Sequence, residues 1–420
     1  MPGLDDLAWP HGPIADAERA LADAFAARGA AILVGGSTVG ILAALLALAG
    51  GRTVALGPTQ HRSVYAGLVL AGAEPSYLPE RTDVATGLSL GLDVASSVAE
   101  LARLRPAAVI VAYPTYQGVA SPFAEIARAA HAVGALVLAD GAHGAHFGLD
   151  PRLPERALEA GADVAVYGLH KTLGALTQTA LLAWADDALG PPLRASLRLL
   201  QSSSPSYLLM ASADAVGATM ANASRRWVPA IDRALEVRAW LGEEAWRADG
   251  PVAQDPSRLW WLPHEGTGGD LSTALRREGV EPEYADERGV LLLLGPGLRA
   301  RHMPRLARSL RRARQSVAGY TPAPPAAIPS PPLAPDRPEA MRAALAASWE
   351  SIPLSCSSGR QSADFIVPYP PGVPVVLPGA VMRETAIRRL AVSLAAGREV
   401  QGIGPGGTIR VVRTEGGASS

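Results

Sequence analysis

Residues 164–172 read Val164-Ala-Val-Tyr167-Gly168-Leu-His170-Lys171-Thr172. Three of the first four are β-branched or aromatic, which predicts a short buried strand; Gly168 ends it, and His170-Lys171 stands at its C-terminal end. Upstream, Leu136-Val-Leu-Ala139 has the same character and runs into Asp140-Gly-Ala-His143-Gly-Ala-His146. Farther out, the strand Ala30–Val34 gives way to Gly35-Gly36-Ser37-Thr38 and then to a helical run, Val39–Ala49. Further strands are predicted at Thr53–Leu56, Pro75–Leu78 and Ala108–Ala112, with helices over Ser63–Ala71 and Pro122–Val133. Strands alternating with helices, with no tight hairpin signal between them, predict an α/β domain on a mainly parallel sheet. Ligands of such sheets bind where strands end and helices begin, so chemistry is expected at these strand ends.

Lys171 is the sole lysine among 38 basic residues; the other 37 are arginines. Where only positive charge is needed, arginine serves. It cannot serve where an amine must lose its proton and attack a carbonyl, because guanidinium stays protonated. A lone lysine at a strand end therefore points to amine chemistry, most simply a Schiff base. The bland alternative is a surface residue left by chance. At Gly35-Gly36-Ser37-Thr38, glycines allow close backbone approach, hydroxyls donate, and a helix start favours an anion such as phosphate. No lysine follows these glycines, so the loop is not a nucleotide P-loop. Asp140 ends its strand beside small residues, where it can approach a flat ring. His143 and His146 lie three apart, but no clear third ligand is nearby and no metal is expected. A phosphate cradle, a strand-end acid and a strand-end lysine, in that order, are what a pyridoxal 5'-phosphate site requires.

The remaining sequence bounds the answer. The 420 residues are 48% hydrophobic and 18% charged, room for two or three folded domains. The longest apolar stretch, Val39–Ala49, is shorter than the roughly 20 residues that span a bilayer. A net charge of −1 gives no footprint for nucleic acid or an anionic membrane. The single cysteine, Cys356, excludes an internal disulfide and a multi-cysteine metal site. A soluble cytoplasmic protein is expected. Helical sequence continues to about residue 247. Trp260–Leu262, Val290–Leu294 and an arginine-rich helix over Met303–Val317 predict a smaller α/β unit. The expected division is a cofactor-binding large domain over 1–245, a small domain over 246–320, a proline-rich connector over 321–338, and a C-terminal domain over 339–420 with a frayed tail from Gly404.

The run from Asp140 to Gly148, then Pro154-Glu-Arg-Ala-Leu-Glu-Ala-Gly-Ala-Asp163, then His170-Lys-Thr-Leu-Gly-Ala-Leu-Thr-Gln-Thr179, closely resembles the Orn/Lys/Arg decarboxylases. Leu4-Asp-Asp-Leu with Gly12-Pro-Ile, Gly36-Ser-Thr, His61-Arg-Ser-Val, Pro114-Thr-Tyr-Gln-Gly, Leu200–Leu208 and Val367-Pro-Tyr-Pro-Pro-Gly-Val-Pro374 match in family order. The resemblance implies a fold type I pyridoxal-phosphate enzyme of the aspartate aminotransferase fold. It also implies a homodimer or higher oligomer, and decarboxylation of arginine, lysine or ornithine to the amine. By the same resemblance Lys171 is the Schiff-base lysine and Asp140 the partner of the pyridinium. His61 stacks on the ring with Ala142 on the opposite face, Gly36, Ser37 and Thr38 hold the phosphate, and His143 lies near the cofactor. His170 gives a proton after carbon dioxide leaves, and Ser203 reaches the site from a partner subunit. Two other readings stay open: a different reaction on the same cofactor, such as an aminotransferase or lyase, and a non-catalytic relative.

Four positions depart from the family pattern: Gly141 and Gln117 replace acids, Gly168 a phosphate-binding serine, and Ala380 a glutamate. The family also carries a His-Met-Pro-Gly-His-Lys stretch ahead of Leu-Asp-Asp-Leu. This chain begins inside the usual sequence, so either the start is placed late or that part of the site is missing.

Overall fold

Seven strands form the central sheet of the computed structural model, which describes residues 5–250, 252–320, 331–335, 339–395 and 397–413. In chain order they are β1 (Gly29–Leu33), β2 (Thr53–Leu56), β3 (Glu74–Tyr77), β4 (Ala108–Ala112), β5 (Leu136–Gly141), β6 (Val164–Tyr167) and β7 (Ala180–Trp184). Their order across the sheet is β1-β7-β6-β5-β4-β2-β3. From β6 to β3 every pairing is parallel, as the alternation predicts. Strand β7 is antiparallel to both neighbours. The connection from β6 to β7 holds only the single helical turn Leu169–Thr172. A parallel return needs a crossover, usually a full helix packed on the sheet face, and a four-residue turn cannot supply one, so the chain turns straight back.

Side-chain alternation splits the core. Val137, Ala139, Ala165 and Tyr167 face one buried cluster, which includes Phe25, Tyr113 and Phe147. Leu138, Val164 and Val166 face the other, with Ile41, Leu45 and Tyr65. Helices α1 (Pro13–Ala24), α2 (Gly36–Leu48) and α3 (Arg62–Ala71) cover the sheet. Asp5 fixes the start of α1: its Oδ2 accepts from the N–H groups of Gly12 at 2.8 Å and Ile14 at 3.0 Å. Burial alone would raise its pKa, but the backbone donors of His11 and Gly12 hold the carboxyl well below the usual range. The two separated motifs near the N-terminus therefore meet as one helix cap.

Arg258–Trp261, Tyr284–Ala285 and Val290–Leu293 form a three-stranded antiparallel sheet, with helices Gly268–Arg277 and Met303–Ser316 sharing its core. A further cluster unites Leu354, Ile366, Val376, Leu390, Ile409 and Val411. Thr408–Val412 corrects the expectation of a frayed tail: it pairs with Trp349–Pro353 because Ile409 and Val411 are buried. Within the proline-rich connector, Leu333 is docked, donating to the Val375 carbonyl at 2.9 Å and accepting from Leu377 at 2.8 Å. Connector residues 321–330 and 336–338, Leu4, and residues 414–420 lie outside the described residues. No helix among the described residues is long and apolar enough to cross a membrane.

Candidate active site

Register aligns the site. Ala112 of β4 pairs with Asp140 of β5, and Gly141 pairs with Tyr167 of β6, so Asp140 and the turn carrying His170 and Lys171 leave the sheet at one edge. Gly35-Gly36 leaves β1 at the same edge and opens α2. These ends surround a cleft of about 300 Å³ lined by Gly36, Ser37, Thr38, His61, Asp140, Ala142, His143, His170 and Lys171. Nine of the ten residues expected from the sequence are thus brought together.

Lys171 is exposed, lining both this cleft and a neighbouring cavity of about 460 Å³, and its Nζ lies 2.9 Å from Nε2 of His143. Protein surrounds the amine closely, and those surroundings rather than surface area set its protonation. Burial lowers its pKa below the ordinary lysine value; Asp140 opposes that shift and Arg258 adds to it. Burial also holds the His143 imidazole well below its usual value, assisted by the charges of Arg258 and Lys171. His61 moves the same way for the same first reason, with Asp140 pulling against it. Asp140 is buried and its Oδ1 accepts from the Ala142 N–H at 3.2 Å. His170 commits its Nδ1–H to the Thr179 carbonyl at 2.9 Å, which leaves Nε2 free to carry or accept a proton.

At the other end of the cleft, Gly36 has φ +74° and donates to the Gln178 carbonyl at 2.8 Å. Ser37 follows at the start of α2, and its Oγ is buried without a hydrogen-bond partner among the described residues. An unpartnered hydroxyl beside the free N–H groups of a helix start fits a phosphate, with Thr38 exposed next to it. His61 caps α3, its Nδ1 accepting from the Ser63 N–H at 3.2 Å, while the ring lines the cleft. The donor set therefore fits pyridoxal 5'-phosphate: an amine, a carboxylate, a flat ring and an anion cradle.

Ser203 is not in this cleft. On the single chain it is exposed and lines a separate pocket with Glu18, Arg194 and Gln201. His146 points away from His143: it is fully buried, bonded to Asp255 at 3.0 Å and stacked on Trp227 at 4.2 Å. Among the described residues no cluster of three His, Cys, Asp or Glu is placed to hold a metal. Three of the four departures have local reasons, and nothing in the structure explains Gln117. A Cβ at Gly168 would lie 3.2 Å from the Ser37 Oγ, and one at Gly141 3.0 Å from the Tyr167 ring. Ala380 is fully buried in an apolar cluster, an environment that penalises a carboxylate.

Several lining residues were not singled out by sequence. Tyr116 stands inside the quoted Pro114-Thr-Tyr-Gln-Gly segment, and Tyr369, Pro371 and Val373 inside the late proline motif. Their presence in those motifs was the available signal. Arg258 is different. It is 1% exposed, and it reaches the site from Ser257-Arg-Leu-Trp-Trp261, where the resemblance is weak. Its guanidinium bonds to Nδ1 of His143 and to the Tyr116 carbonyl at 2.5 Å. An arginine inside an otherwise apolar strand was the only hint.

Comparison with known proteins follows the same lines. The profile described as "Orn/Lys/Arg decarboxylase, major domain" matches residues 1–252, and "Orn/Lys/Arg decarboxylase, C-terminal domain" matches residues 325–406. An arginine decarboxylase of Bacillus subtilis (strain 168) is 31% identical over 418 residues, covering 95% of this chain and 85% of the relative. The solved lysine decarboxylase A from Pseudomonas aeruginosa superposes with a TM-score of 0.81 at 18% identity, covering 98% of this chain and 73% of that one. A solved structure of a protein described as SPT, with PLP, superposes with a TM-score of 0.56 at 19% identity, over 73% of this chain and 78% of that one. These two structural likenesses bear out the expected fold class.

Proposed function

The chain belongs to the Orn/Lys/Arg decarboxylase family, and on that premise we propose that it converts a basic amino acid (arginine, lysine or ornithine) to the corresponding amine, with pyridoxal 5'-phosphate held at Lys171. The observation that carries this reading is the placement of the only lysine amine in one cleft with Asp140, His61 and the unpartnered Ser37 hydroxyl. When bound, the coenzyme supplies an electron sink for the pair released at the α-carbon as carbon dioxide leaves.

The chain's own residues do the rest. The N–H groups of Ser37 and Thr38 at the start of α2, with the hydroxyls of the same two residues, would hold the phosphate, and Gly36 leaves the backbone open to it. His61 and Ala142, lining the cleft, would flank the ring and keep water off it. Asp140 would keep a proton on the ring nitrogen through a charge-assisted hydrogen bond, and that charge stabilises the electron-rich stage of the reaction. His170 is the proposed proton donor to the α-carbon: with Nδ1–H held by Thr179, the proton is delivered from Nε2. The cationic end of the substrate needs a counter-charge, and Glu283 is the carboxylate at hand. It accepts from the Tyr116 hydroxyl at 3.1 Å, and its charge is felt at Lys171. It makes no salt bridge among the described residues, whereas Glu281, Asp286 and Glu287 are taken by Arg276, Arg288 and Arg398.

We further propose a cytoplasmic homodimer, with Ser203 contributing from the second subunit, and large, small and C-terminal domains over 1–245, 246–320 and 339–420. The deciding experiment incubates the coenzyme-loaded protein with each basic amino acid. Release of carbon dioxide with agmatine, cadaverine or putrescine is expected. Formation of a keto acid instead would sink the decarboxylase reading. Borohydride should fix the coenzyme to Lys171 and nowhere else.

A further inference from the structure

His143 stands between two groups that are ordinarily both donors. Its Nδ1 meets the Arg258 guanidinium, and its Nε2 meets the Lys171 amine at 2.9 Å. Arginine has only donors and does not lose its proton in proteins. Nδ1 must therefore accept, and a neutral imidazole then carries its proton on Nε2. Were Lys171 also an ammonium, Nε2 would have to accept as well, which only an imidazolate anion can do. The arrangement closes one way: Nε2–H donates to the lone pair of an unprotonated Nζ.

We propose that Arg258 is a positioning residue that fixes the His143 tautomer and, through it, holds Lys171 as the free amine. Its own placement is enforced. Arg258 is almost fully buried; its second donor goes to the Tyr116 carbonyl, and its guanidinium lies 5.4 Å from the Tyr116 ring centroid. The stem passes over Gly118, where a Cβ would lie 2.7 Å from the Arg258 Cβ. The groups facing Lys171 are His143, Asp140, Glu283 and Arg258; those facing His143 are Arg258, Lys171, His61 and His170. Asp140 and Glu283 favour an ammonium, but among the described residues neither is within salt-bridge distance of Nζ, while His143 is bonded to it. A free amine is what attack on an aldehyde requires, so this use of the device rests on the function proposed above.

The one-lysine sequence makes the test direct. Coenzyme-free, full-length protein grown on lysine labelled with ¹³C at Cε gives a single resonance, which can be titrated with pH. In the wild type the midpoint is expected below the ordinary lysine value of about 10.4. Arg258→Met should raise it by about one unit, roughly tenfold less free amine at a given pH below the midpoint. Arg258→Lys, still a cation and a donor, adds a second labelled resonance, identified by its absence from the wild-type spectrum, and should leave the Lys171 midpoint near wild type. A wild-type midpoint in the ordinary range, or a folded Arg258→Met protein titrating like wild type, overturns the proposal. Should Arg258→Met fail to fold, ¹⁵N-histidine spectra of the wild type decide. The His143 signals, identified by their loss in His143→Gln, must show a proton on Nε2 and none on Nδ1. The opposite tautomer, or a doubly protonated ring at neutral pH, overturns it. These readouts need no substrate, so they fail or survive apart from the decarboxylase reading.

Discussion

Gly372 lies so close to the His61 ring that a Cβ there would stand 2.7 Å from Cδ2 and 2.8 Å from Nε2. The two residues come from opposite ends of the chain, and the Arg62 N–H donates to the Gly372 carbonyl at 2.9 Å. The late motif thus sets the wall against which the ring is held. Gly372 also has φ +84°, a conformation that costs an L-residue about 1–2 kcal/mol. Gly372→Ala should therefore both strain this loop and push the ring into the cleft. The expected result is on the order of tenfold weaker coenzyme binding, read by titrating the coenzyme-free protein and following visible absorbance. Unchanged affinity in a folded Gly372→Ala protein would mean that the His61 ring position is irrelevant to the coenzyme.

Asp140 supplies the one carboxylate lining the cleft among the described residues, and its charge acts on both His61 and Lys171. Asp140→Asn keeps the size and removes the charge. Catalysis should drop by about 10²–10³ in kcat, the range seen when one preorganised electrostatic partner is lost. Coenzyme capture should persist, because the phosphate end is untouched and loss of the Asp140 charge only favours the free amine of Lys171. Equal loss of binding and kcat would instead make Asp140 a general anchor.

How much of this site the sequence reveals depends on where each residue's partner lies. The order of strand ends, the glycine-hydroxyl loop, Asp140 and Lys171 are legible because parallel sheets place ligands at strand ends and because a lone lysine is chemically informative. The antiparallel return of β7 is not, since it depends on the twelve residues between Tyr167 and Ala180 forming only one helical turn rather than a crossover helix. The strand Thr408–Val412 escapes notice for a related reason: two buried residues, Ile409 and Val411, outweigh the glycines around them. Arg258 shows in the sequence only as an arginine inside an apolar strand. Its meaning arises only when a strand of the smaller sheet is laid against the loop after β5, which no local pattern encodes.

Glu283 gives a test of substrate choice. Tyr116 lines the cleft and its hydroxyl donates to Glu283, so a substrate ammonium or guanidinium could exchange into that interaction. Glu283→Gln should raise KM for the preferred basic amino acid by tenfold or more, the scale of one charge-assisted hydrogen bond, with a smaller effect on kcat. Tyr116→Phe should do less, because the carboxylate remains. If Glu283→Gln leaves the kinetics on arginine, lysine and ornithine unchanged, the counter-charge comes from elsewhere.

The pair His146–Asp255 joins the loop after β5 to the turn that leads into Arg258, with both side chains fully buried. Asp255 is further held by Ser257, whose N–H and hydroxyl donate at 2.9 and 2.7 Å. Burial alone would raise the Asp255 pKa, but His146 and Ser257 outweigh it and hold the carboxyl below its ordinary value. A depressed folded pKa means that the unfolded chain binds more protons in the window between the two values. The stabilisation is therefore full above about 3.9, the ordinary aspartate value, and is lost as pH falls through the lower folded value. Asp255→Ala leaves His146 buried without its partner and should cost on the order of 3–5 kcal/mol, seen as a lower denaturant midpoint at pH 7. The difference between wild type and variant should shrink in acid; a difference that stays constant down to about pH 2 would show that the pair acts through packing alone.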